Sequence, residues 1–154
     1  MSIFDNLDEI DDSPLSYSKA GSYAKWISIN MLTILTDDTA EDVKIESDNV
    51  LTALIAAEGT IDSYLSTRYD IPIDKSNKKA IAFLRIATYI IATYFLYGRR
   101  GMTENAQYQY DRILRNLKDM GSGKALLPNV AESIPEMFSG SGFKQSNVME
   151  DFKF

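Results

Sequence analysis

The chain has 154 residues, a net charge of −6, and neither cysteine nor histidine. That length suits one domain, and the two missing residue types exclude disulfides, thiolate nucleophiles and Cys- or His-ligated metal centres, and remove the commonest general base. The charge is segregated, with −8 on residues 1–50, +4 on 51–127 and −2 on 128–154, and no basic run longer than Lys78-Lys79 or Arg99-Arg100; tight duplex-DNA binding, which needs a concentrated cationic surface, is not expected.

In chain order, MSIFDNLDEIDD lacks the basic and long apolar segments of a secretory signal. Residues 1–25 read as an acidic arm. Ile29, Leu32 and Leu35 predict a short helix ahead of the acidic turn Thr36 to Asp42. As a calcium loop starting at Asp37 that turn fails, because Asp42 stands where glycine is needed and Asp48 where a bidentate glutamate is needed. Val50, Leu54, Ala57, Ile61 and Leu65 then form one apolar stripe behind Ser47, a candidate N-cap, and the helix must end before Pro72. Glu58 and Asp62 sit one turn apart on it, an ordinary helical spacing that gives no argument for catalysis.

Residues 80–97, AIAFLRIATYIIATYFLY, are near the minimum length for a membrane span, but Arg85 close to their middle and Gly98-Arg99-Arg100-Gly101 after them argue against that reading. On a helical wheel Ile81, Leu84, Thr88, Ile91 and Phe95 make one stripe. Phe83, Ile86, Ala87, Ile90, Tyr94 and Tyr97 make a second, nearly opposite, with Ala82, Arg85, Tyr89 and Thr93 between them. A helix apolar on both sides must be covered on both sides, by further helices or by a neighbouring subunit. Arg85 in this setting should find a carboxylate, Asp62 or an acid of another chain, because an unpaired buried charge is costly.

The last helix reads from Thr103 as cap, through Ala106, Tyr110, Ile113, Leu117 and Met120, to a stop at Gly121, with Asp111, Arg115 and Asp119 spaced to pair on its wet face. GSGK at 121–124 misses the phosphate-loop pattern, having Lys118 for the first glycine and Ala125 for the Ser or Thr, and it follows a helix rather than a strand. Residues 128–154 read as a C-terminal arm whose Phe138, Phe143, Phe152 and Phe154, spaced by Ser, Gly and Lys, could each fill a pocket on a partner. The expected fold is all-α: a small helical bundle with a central hydrophobic helix over residues 26–127 and extended N- and C-terminal arms.

The ordered set VLTALIAAEGTIDSYLSTRYDIPI, LRIATYIIATYFLYGRR and ENAQYQYDRILRNLKDMGSGKALL resembles the head-tail connector, or adaptor, proteins of long-tailed phages and Mu-like prophages. Ile61 to Leu65, Arg68-Tyr69 with Pro72, the segment Tyr110 to Leu117, Gly123-Lys124 ending the third helix and LTDD at 35–38 carry the likeness, which covers residues 26–127. The resemblance implies a non-enzymatic virion part without cofactor or metal: a homo-oligomeric ring, typically dodecameric, at the virion neck. Such a ring is assembled in the host cytoplasm, joins the portal protein to the tail or a stopper protein, and lets DNA pass its lumen without specific binding and with no membrane involved. Candidate subunit or portal contacts are Arg85, Tyr89, Tyr94 and Tyr97 on the central helix, with the four phenylalanines of the arm. A stopper or tail-completion ring would use similar surfaces. A small helical DNA-binding regulator would have only Gln107, Arg112, Arg115 and Asn116 to read bases with, and a bundle enzyme lacks the usual catalytic side chains.

Overall fold

The computed structural model describes residues 14–36 and 47–133, and among these residues all regular structure is helical: α1 (Ala20–Ile27), α2 (Ile29–Thr36), α3 (Ser47–Leu65), α4 (Lys78–Arg100) and α5 (Glu104–Ser122). Helices α3, α4 and α5 pack mutually, while α1 and α2 cover α3 and α4. Residues Asn49 to Ala56 of α3 lie beside Phe95 to Arg99 of α4, so these two run antiparallel. Gly121 of α5 meets Tyr64 of α3, so those C-termini share an end.

The expected stripe of α3 is the one buried, from Val50 through Leu54, Ala57 and Ile61 to Leu65. On α4, Ile81, Leu84, Thr88 and Ile91 of the first stripe are buried, and the second stripe is mostly covered within the chain. Ala87 is buried, Phe83, Ile90, Tyr94 and Tyr97 are half-buried, and Ile86 remains 42% exposed. Helix α4 is long and apolar enough by length and composition to cross a membrane, but half of its apolar window is buried inside this bundle. Both stripes thus find most of their cover among the five helices, Ile86 excepted.

Two boundaries move. Tyr17, Ser18, Ala20, Tyr23 and Ala24 are buried, so residues 14–25, read as part of the acidic arm, belong to the body. At the other end Leu127 is buried, its N–H donated to Tyr69 Oη at 3.0 Å, and Ser133 donates to the Arg68 carbonyl at 2.7 Å. The body therefore runs past 127. Charge composition marked these stretches as arms, and two buried tyrosine-centred contacts override it.

Thr103 caps α5 as expected, accepting from Ala106 N–H at 3.2 Å. The stop at Gly121 is corrected: α5 continues to Ser122 and ends on Gly123, whose φ of 83° is the left-handed cap conformation that favours glycine. Gly121 has another reason to be small. A Cβ there would stand 2.2 Å from the Tyr64 carbonyl oxygen, so α3 and α5 touch backbone to side-chain-less backbone. On the wet face of α5, Asp111 accepts the Gln107 amide at 2.9 Å where an ion pair with Arg115 had been expected.

Candidate assembly surfaces

The segment before α1 is fastened from below by one carboxylate. Glu58 of α3 is buried; its Oε1 accepts from the backbone N–H groups of Tyr17 and Ser18 at 2.9 and 3.0 Å and from Ser18 Oγ at 2.8 Å, and its Oε2 accepts from Ser16 N–H at 3.0 Å. One turn on, Asp62 accepts the Tyr17 hydroxyl at 2.6 Å, and the same hydroxyl accepts from Ile73 N–H at 3.1 Å. The pair that looked like an ordinary helical spacing is therefore the clamp joining the 16–18 turn, α3 and the 69–77 connection. Burial and the Asp62 hydrogen bond both raise the Tyr17 pKa, and burial raises that of Tyr23, whose hydroxyl bonds Thr93 Oγ1 at 2.9 Å.

These shifts fix a sign. In the unfolded chain both phenols ionise near pH 10, whereas in the fold they keep their protons well above it. The folded state thus binds more protons between those values. The stability contributed is complete below about pH 10 and is lost as the pH climbs from there through the folded values. The last step of the tyrosinate titration, that of the buried phenols, should coincide with loss of helical circular dichroism; tyrosinate formed by every tyrosine while the helices persist would contradict it.

A second fastening holds the last described residues of the chain. Arg68, just after α3, donates Nε and Nη2 to the two oxygens of Glu132 at 2.7 and 2.9 Å, a bidentate pair that raises the guanidinium pKa further. Gly123 lies under it, since a Cβ there would stand 2.4 Å from Arg68 Nη1.

The four described candidates on α4 do not form one site. Tyr94 stacks face to face on Tyr110 of α5, with centroids 3.6 Å apart and planes 4° apart, and Phe95 sits edge-on to it. Tyr97 reaches Met31 Sδ of α2 at 3.5 Å. Tyr89 is buried, its ring 5.3 Å from Tyr23 and 5.4 Å from Trp26 of α1. These three tyrosines pack within the chain, Tyr89 buried and Tyr94 and Tyr97 half-buried. Arg85 is exposed, so no buried charge needs neutralising, and Asp62, its expected partner, is taken by Tyr17. Phe138, Phe143, Phe152 and Phe154 lie outside the described residues, as does the turn from Asp37 to Asp42.

What sequence reasoning missed is the outer face of α3 and its extension. From Thr52 on, the exposed Ile55, Ala56, Gly59, Ser63 and Ser66 fall with it within about a 100° arc on a 3.6-residue helix and include no charge, the exposed Asp48 of the first turn being the one acid on that arc; Ile55 is 57% exposed. The signal was present: the only acids between Asp48 and Asp70 are Glu58 and Asp62, and both turn inward. Beyond it, a groove of about 450 Å³ opens between α1, α2, α4 and α5, lined by Trp26, Met31, Ile90 and Tyr97 among others. No cluster of three or more acids able to hold a metal occurs among the described residues.

Residues 17–142 match the sequence profile of the family described as bacteriophage Mu, Gp36. The chain belongs to the bacteriophage Mu Gp36 family. Compared one by one, no curated protein matches it. The match begins at Tyr17, the residue that Glu58 and Asp62 hold. It also runs past Glu132, the partner of Arg68. This is a phage protein family with an all-α body, in accord with the likeness to phage proteins seen in the sequence.

Proposed function

We propose that the protein is a structural subunit of the phage neck, a head-tail connector that forms a homo-oligomeric ring between portal and tail and lets DNA pass. Membership of a phage Mu family carries this reading. The outer face of α3, uncharged from Thr52 onward, supports it, because depletion of charge is what distinguishes the centre of a protein interface from ordinary surface. A ring also needs two different faces per subunit, one donated and one received. The outer face of α3 is one; the exposed Ile86 on α4 marks a candidate for the other. The acidic net charge favours passage of DNA without adhesion, like charges repelling the phosphate backbone.

Mass measurement and electron microscopy of the chain, alone and with its phage's portal protein, test the reading. Closed rings are expected, and Ile55→Asp should abolish them while leaving the circular dichroism spectrum unchanged, since Ile55 is outside the core. A chain that stays monomeric with portal present would count against a connector, and rings that bind only the tail side would favour the stopper reading. Steeply salt-dependent duplex binding would favour the regulator.

A further inference from the structure

Where the described chain begins, at Pro14, it runs into a hollow of about 390 Å³ whose rim holds Lys19, Lys75 and Arg85, all exposed. Lys78 follows on the same helical face as Arg85, seven residues away, and the first turn of α4 holds Lys78 and Lys79 and no acid. Cations at a helix N-terminus add to the positive end of its dipole, the opposite of the usual arrangement. Three acids nearby keep their charge but do not line the hollow: Glu58 and Asp62 face the 16–18 turn, and Asp74 accepts from Ser76 N–H at 2.9 Å, which lowers its pKa. The stretch leading into Pro14, residues 1–13, carries Asp5, Asp8, Glu9, Asp11 and Asp12 with no Lys or Arg.

We propose that this acidic segment docks on its own chain, in the Lys19–Lys75–Arg85 hollow, as a tethered counter-anion. Two arguments choose this occupant. Its charge is complementary, five acids meeting a cationic rim. It is also tethered at the rim itself, since Pro14 lines the hollow and Asp12 is two residues away, which gives an effective concentration on the order of millimolar or above. Docked, the segment withholds the cationic cluster from phosphate backbones; removing it takes the net charge from −6 to −1.

Zero-length carbodiimide cross-linking of the full chain, which joins carboxylates to lysine amines in contact, reads this directly when light and isotopically heavy chains are mixed. Links from Asp8–Asp12 to Lys19 or Lys75 are expected within single chains. They should exceed links to Lys118 on α5 by about threefold or more, and fall by a similar factor when ionic strength is raised to about 1 M or when Arg85 is replaced in Arg85→Gln, since screening and loss of a cation both weaken the attraction. Three outcomes overturn the proposal: links between light and heavy chains only, which would make a second copy the occupant; links spread evenly over the surface lysines; or a yield indifferent to both salt and Arg85→Gln.

Discussion

Glu58→Ala is expected to remove about 3 kcal/mol of stability. The carboxylate is buried and is the acceptor for three consecutive backbone N–H groups, Ser16, Tyr17 and Ser18, and for the Ser18 hydroxyl. A hydrogen bond to a charged acceptor contributes roughly 1.5–3 kcal/mol, and each donor left buried without a partner costs about 1–3 kcal/mol. Water entering beside Pro14 would recover part of that, so the sum is not reached. The loss should also spread. With the turn released, Tyr17 loses its purchase on Asp62 and Ile73, and α1 comes away from α4 at its N-terminal end. Glu58→Gln keeps one oxygen for the Tyr17 and Ser18 donors but presents an amide to Ser16, and should cost roughly half as much. Thermal and urea unfolding read both; a Glu58→Ala change below about 1 kcal/mol would mean that the 16–18 turn is not held by this carboxylate.

Gly121→Ala and Gly59→Ala are expected to have opposite signs. Both glycines lie inside helices, where alanine is intrinsically better by about 1 kcal/mol. At Gly59 an added Cβ meets nothing within 4 Å, so the full intrinsic gain of about 0.5–1 kcal/mol should appear. At Gly121 the Cβ would lie 2.2 Å from the Tyr64 carbonyl oxygen and 3.2 Å from its carbon, both backbone atoms that no rotamer change can move. Helices α3 and α5 must part by about an ångström or more, disturbing Leu65 and Leu117 and the Thr67 hydroxyl, which donates to the Gly121 carbonyl at 3.1 Å. Overpacking of this kind costs about 1–3 kcal/mol, so a net loss of about 2 kcal/mol is expected after the helical gain. Equal stabilisation by both substitutions would show that the α3–α5 contact is looser than the structure makes it.

The sequence by itself determined the helices that carry a clear period: the α3 stripe from Val50 to Leu65, the α5 stripe from Ala106 to Met120, the Thr103 cap and the two-sided character of α4. Each is a local property, because spacing along the chain fixes which side chains share a helix face and which polar side chain can reach the first free N–H groups. The tertiary structure alone decided three other matters. Composition placed residues 14–25 in an acidic arm, but a single carboxylate forty residues away collects their backbone donors, and a contact of that sequence separation leaves no periodic trace. The stripe bearing Tyr94 and Tyr97 needed cover that the period of α4 could not name; Tyr110 and Met31 supply part of it, and Tyr23 packs on Tyr89, contacts that exist only once the helices are assembled. Gly121 read as a helix stop because glycine is common there, whereas it is small because another backbone passes against it, a distance that exists only once α3 and α5 are packed.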